Sequence, residues 1–142
     1  MDNLTELQDL LNTMKDSLDK LLVVEKEKTS ILEKGSVEDL NNLMNAEQAL
    51  IMECSAAEKQ RVNLCNFVDV QTISELIEKF PETKSTLSPI HSDMTATIES
   101  IKKASALNMK LIDTRLKIIK FMTTNLGIDS ENPTYSKNVQ KV

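Results

Sequence analysis

From Leu4 to Leu21 the apolar residues recur in alternating steps of three and four: Leu4, Leu7, Leu11, Met14, Leu18 and Leu21. That spacing places them on one face of an α-helix, and it predicts a first helix from about Asn3 to Lys34. Leu10 and Leu22 broaden the stripe enough to touch two neighbours. Beyond Leu21 the stripe passes through Val24, Glu25 and Lys28 before recovering at Ile31 and Leu32. Charged residues at seam positions are read as a frayed bundle end, where long side chains lay their stems on the core. A polar layer or a partner contact is the alternative.

Gly35 is a stop signal for that helix, and Ser36-Val37-Glu38-Asp39 offers an N-cap with an acidic residue three positions on. So short a junction predicts an antiparallel helical hairpin. The second helix is predicted from about Val37 to Val70. Its seam reads Leu40, Leu43, Glu47, Leu50, Cys54, Ala57, Arg61, Leu64 and Val68, thickened by Met44 and Ile51. Both seams keep a near-heptad period, which predicts small crossing angles.

Thr72-Ile73-Ser74-Glu75 has the form of a capping box, and Pro81 ends the short helix it opens. This segment is expected to cover one end of the core. The last helix is predicted to begin at Ser88-Pro89, with Glu82 to Leu87 adding at most a kinked turn, and to end near Leu126 before Gly127. One of its stripes holds Met94, Ile98, Ile101, Ile112, Ile119, Met122 and Leu126; a second holds Ala104, Leu107, Leu111, Ile118 and Phe121. Two stripes suit a helix packed on a hairpin. From Met109 to Leu126, however, the apolar face is wider than two companions readily cover, and such a face marks a docking site. Residues 128–142 lack a helical period and read as a flexible tail with one tyrosine, Tyr135. The expected fold is therefore all-α. It is an elongated antiparallel bundle of three long helices with one short connecting helix, residues 1–127, followed by a tail, 128–142.

Composition agrees with few, long helices. The 142 residues include only two glycines, three prolines and no tryptophan, whereas sheet proteins spend more of all three. No apolar run approaches the roughly 18 residues that span a bilayer. The acidic start, Asp2 to Glu6, does not have the form of a signal peptide, so a cytoplasmic protein without membrane insertion is expected. Cys54 and Cys65, eleven residues apart on one helix, are too distant for a disulfide and read as small buried or half-buried thiols. Net charge is −5, unevenly spread: residues 1–101 carry 9 Lys/Arg against 19 Asp/Glu, and residues 102–142 carry 8 against 3. The basic last helix either lies against two acidic ones or presents a surface to an acidic partner. It has no dense basic cluster with aromatic interleaving, so nucleic acid is not an expected partner.

Candidate chemistry is sparse. The single histidine, His91, has no other His or Cys at ligand spacing, so no metal is expected. No phosphate-binding Gly-rich loop occurs, and no cofactor or other obligatory small molecule is implied. Nucleophiles lack a base, and carboxylates on helix surfaces are more often solvating charge. No catalytic residues are assigned, and the chain reads as a protein that binds proteins.

Leu21-Leu22 with Glu25, then Leu32, Leu40, Leu43, Leu50 and Arg61, resembles the FlgN-type flagellar export chaperones. So do the short helix ending in Phe80-Pro81, and the carboxyl end, where Asn108-Met109-Lys110-Leu111-Ile112 leads to Phe121 and then Thr134-Tyr135-Ser136-Lys137. The resemblance covers nearly the whole chain, although Glu47 stands where that family often has a basic residue. It implies a chaperone that binds the carboxyl-terminal helical segments of hook-filament junction proteins. It would prevent their premature assembly and deliver them to the flagellar type III export gate. The last helix and tail would carry binding, with Met109, Ile112, Leu116, Ile119 and Met122 as helix contacts and Tyr135 docking to cargo or gate. A structural coiled-coil adaptor or self-assembling scaffold is the alternative, in which the same seams bury a homodimer.

Overall fold

The computed structural model describes residues 2–127. Four α-helices occupy most of them: α1 Asp2–Lys34, α2 Val37–Phe67, α3 Ile73–Lys79 and α4 Lys84–Asn125, with a 3-10 turn Pro81–Thr83 before α4. The fold is all-α. The chain forms two compact units, Met1–Asn108 and Met109–Val142; the expected tail, 128–142, lies outside the described residues. No described helix is long and apolar enough to cross a membrane.

Within the first unit α1 lies between α2 and the first part of α4. Gly35 takes a φ of +82°, its N–H donates to the Ile31 carbonyl at 2.8 Å, and the Ser36 hydroxyl accepts from the Asp39 amide at 3.3 Å. A side chain would strain that left-handed turn, so glycine is the residue that lets α2 run back along α1. Two contacts fix the antiparallel sense. Ser17 on α1 donates to Glu53 at 3.0 Å, and Lys28, farther along α1, meets Glu47, earlier on α2. On the other side the sense is parallel. Asp19 accepts from Thr97, and Glu25 meets Asn108.

The α2 seam is the one its spacing predicts, every member from Leu40 to Val68 being buried or half-buried. Met44 and Ile51 do not thicken it. They are 46% and 44% exposed: among the described residues α2 makes its main packing contact with α1, and its other face is left open there. The core is concentrated toward one end, where Leu7, Leu11, Met14, Ala57, Cys65, Val70, Ile73, Leu76 and Leu87 pack together. Full burial of an aliphatic side chain there contributes about 1.5–3 kcal/mol. The short helix α3 covers that end, as expected. Its cap Thr72 accepts from the Glu75 amide at 3.1 Å, and the Glu75 carboxylate accepts from the Gln71 amide at 2.8 Å.

Three features depart from the expectation, two of them helix boundaries. Helix α2 stops at Phe67 rather than Val70, because Asp69 enters the left-handed region at φ 60° and the Val68 and Val70 amides both turn back to the Cys65 carbonyl. Helix α4 begins at Lys84 rather than Pro89, which lies inside it. Proline removes the bond to the Ser85 carbonyl, but Ser85 and Pro89 are exposed and water can replace it. Leu87, fully buried one turn into the helix, holds the added segment down.

The third departure concerns Glu25 and Lys28. They do not mark a frayed end; they belong to a polar layer inside the first unit. Glu25 is 5% exposed and Asn108 2%. The Asn108 amide nitrogen donates to the Glu25 carbonyl at 2.9 Å and to its carboxylate at 3.1 Å, and its oxygen accepts from the Thr29 hydroxyl. Lys28 donates to both oxygens of Glu47, at 2.8 and 2.9 Å. No buried side-chain nitrogen or oxygen among the described residues lacks a partner.

Burial pushes the Glu25 carboxyl above the ordinary carboxylate range, and its hydrogen bond with Glu47 pushes the same way. For Glu47 burial also pushes upward, but the bonds from Glu25 and Lys28 outweigh it and hold that carboxyl low. The two carboxyls titrate as a pair, with the proton favoured on Glu25.

Two outcomes follow for stability. Replacing Asn108 by Leu strips the Glu25 carboxylate of its donor, and urea unfolding is expected to show a loss of about 1–3 kcal/mol. The carboxyl of Glu25 binds a proton more tightly in the folded than in the unfolded chain. Its contribution is therefore complete at acid pH and is lost as pH rises through the raised value. Glu25→Gln mimics the protonated form. It should be more stable than the parent at neutral pH, with the difference vanishing as pH falls below the ordinary carboxylate range, measured by urea titrations across pH.

Candidate partner-binding site

Residues 109–127 are the described part of the second unit, and they form the distal part of α4 and its end. The sequence there favours helix strongly, being rich in Lys, Leu, Met and Arg until Thr123-Thr124-Asn125. The end is closed locally. The Thr123 hydroxyl donates to the Ile119 carbonyl, the Asn125 amide to Phe121 at 2.8 Å, and the Leu126 N–H to Met122 at 2.9 Å. Gly127 then takes a φ of +74°, the left-handed stop its position in the sequence predicts.

The helix carries an apolar surface that stays in the open. Met109, Ile112, Leu116, Ile119 and Met122 are between 39% and 69% exposed. Successive steps of three and four bring these five onto one side of the helix, within about 140° at ~100° per residue. Tyr135, the sixth residue assigned to binding from the sequence, lies outside the described residues.

Three further large side chains are equally open: Ile118, Phe121 and Leu126, at 52% to 68%. Sequence reasoning placed them on stripes but not among the binding residues, because periodicity counts apolar positions without showing which ones find cover. The signal was present in Lys117-Ile118-Ile119-Lys120-Phe121-Met122, where consecutive apolar pairs exceed what a single seam requires. Contiguous exposed apolar patches of this kind mark protein interaction sites in soluble proteins.

Charge on this stretch is basic. Lys110, Arg115, Lys117 and Lys120 outnumber the one acidic residue, Asp113, which pairs with Lys117 at 3.0 Å. Both members of that pair are well exposed, so it adds only about 0.3–0.5 kcal/mol to the helix. The site has binding surface and positive charge.

The first unit offers a different kind of recess, an apolar cleft of about 280 Å³ lined by Leu4, Leu7, Leu64, Val68, Leu76 and Phe80. Its walls are core residues or their immediate neighbours, and it belongs to the packing at the α3 end. Cys65, buried beside it, has its thiol pushed up by burial, which favours the inert protonated form.

Comparison with known proteins gives one family. The family model FlgN, described as "FlgN protein", matches residues 1–141. No curated protein and no solved structure matches the chain. With the match running through both units, from the first helix past the open face of α4, this chain belongs to the FlgN family of flagellar export chaperones.

Proposed function

We propose that the chain binds the carboxyl-terminal helical segments of hook-filament junction proteins in the cytoplasm, prevents their premature assembly and delivers them to the flagellar type III export gate. Membership in a chaperone family supports the general role, and the observation that carries the reading is the open apolar face between Met109 and Leu126. Cargo helices that later assemble through their own apolar faces need a substitute surface beforehand, and an unpartnered amphipathic helix is such a surface.

Met109, Ile112, Leu116, Ile119 and Met122 make the helix contacts in this reading, and Tyr135 docks to cargo or gate. Methionine at both ends of that set suits a surface that accepts more than one sequence, because its unbranched chain adapts to the shape it meets. Nothing in the mechanism requires bond making or breaking. Binding energy comes from apolar area removed from water, about 25 cal/mol per Å² before ordering costs are met.

Calorimetric titration of the full chain with a purified hook-filament junction protein tests the proposal. A one-to-one complex is expected, weakened at least tenfold by Ile112→Glu with helicity by circular dichroism unchanged. Tyr135→Ala should weaken capture of the cargo or of the gate in pull-downs. Full-strength binding by Ile112→Glu would remove the open face from the mechanism. A chain that oligomerises alone and ignores junction proteins would instead be a scaffold.

A further inference from the structure

The open face of α4 is too wide for one partner helix. At about 100° per residue, the apolar side chains from Phe121 round to Met109 span about 240° of the circumference, with Thr114, Thr123 and Asn125 among them, and a face packed on one neighbour needs only about 100°. The arc is also divided. Arg115 projects near its middle, with Ile118, Phe121 and Met122 on one side and Ile112, Leu116 and Ile119 on the other. The remaining sector of about 120° holds Lys110, Lys117 and Lys120 around Asp113.

The first unit shows what a helix with so wide a stripe does. Helix α1 is apolar on two sides, and it takes α2 on one and α4 on the other. Charge adds the second argument. Among the described residues Arg115, Lys110 and Lys120 have no ion pair, Asp113 being taken by Lys117. A guanidinium enclosed between two apolar contacts is stable only if a carboxylate meets it, and its fork geometry favours two parallel hydrogen bonds.

We infer that the distal part of α4 is bound by two amphipathic helices from a single partner molecule, one on each side of Arg115, with a partner carboxylate over the guanidinium where they meet. This rests on the reading above, that the face binds helical cargo segments, and it specifies how many helices the cargo contributes and their charge. The partner chemistry is a helical hairpin whose apolar faces converge and whose flanks are acidic.

Ile118→Glu and Ile119→Glu make a matched pair for testing this, being adjacent in sequence and on opposite sides of Arg115. The probe is a purified full-length hook-filament junction protein titrated into the full chain. Each variant, and Arg115→Glu separately, is expected to weaken the one-to-one complex at least tenfold with helicity unchanged. Hydrogen exchange on the bound cargo should show two separate protected helical segments.

If the unaltered chain binds and either isoleucine variant stays within twofold of it, or one protected segment appears, the two-helix inference is overturned while the chaperone reading stands. If the unaltered chain binds no junction protein, both fall. If the chain alone sediments as a dimer that either variant dissociates, a second copy is the occupant and the inference is overturned. Binding by Arg115→Glu within twofold of the parent overturns the carboxylate contact.

Discussion

Glu25 and Asn108 meet inside the first unit, eighty-three residues apart in sequence, and each, nearly out of water, finds a hydrogen-bond partner in the other. An amide and a carboxyl taken out of water must recover hydrogen bonds from protein, and here both amide protons and the amide oxygen find partners on α1. Apolar seams slide past one another at modest cost. A polar group with one matching partner does not. Lys28 and Glu47 impose the same condition between α1 and α2. The layer therefore sets the axial alignment of three helices, while the leucine-rich core at the other end supplies most of the apolar burial.

That division explains why charged residues interrupt the first stripe. A continuous leucine seam would be more apolar but would permit several registers of α2 and α4 on α1. Glu47 fits the same account. A basic residue there would face Lys28, whereas the carboxylate both binds that ammonium and favours the proton on Glu25.

Residues 109–126 make a different use of the same kind of periodicity. Their apolar side chains repeat at helical spacing but remain in contact with water, which is unfavourable for an isolated protein and useful for one that must accept a foreign helix. This stretch continues the helix that begins at Lys84, so its turns extend one already formed rather than nucleating their own, and Gly127 ends it. A surface already ordered before binding loses less conformational freedom when its partner arrives. The cations on the same stretch limit non-specific association and favour partners of opposite charge.

Helix number, the first hairpin, the α2 seam and both glycine stops were legible in the sequence, because each depends on local spacing and backbone conformation. So were the five assigned positions from Met109 to Met122, as members of an apolar face. Their exposure was legible only as excess width, an apolar face broader than two companions can cover; which individual side chains stay open was not, since a stripe destined for a core and one left open have the same periodicity. Glu25 and Lys28 were misread as fraying for a related reason. Their partners, Asn108 and Glu47, lie on other helices, and only three-dimensional packing brings them together. Proline marked the start of α4 by local rule, yet a buried Leu87 outweighed one missing backbone bond. The sequence by itself determined which stretches are helical and where the glycine stops fall, through interactions that reach four residues along the chain. The tertiary structure alone decided which polar groups pair across helices, and which individual side chains of the over-wide face stay in water, because both depend on neighbours far away in sequence.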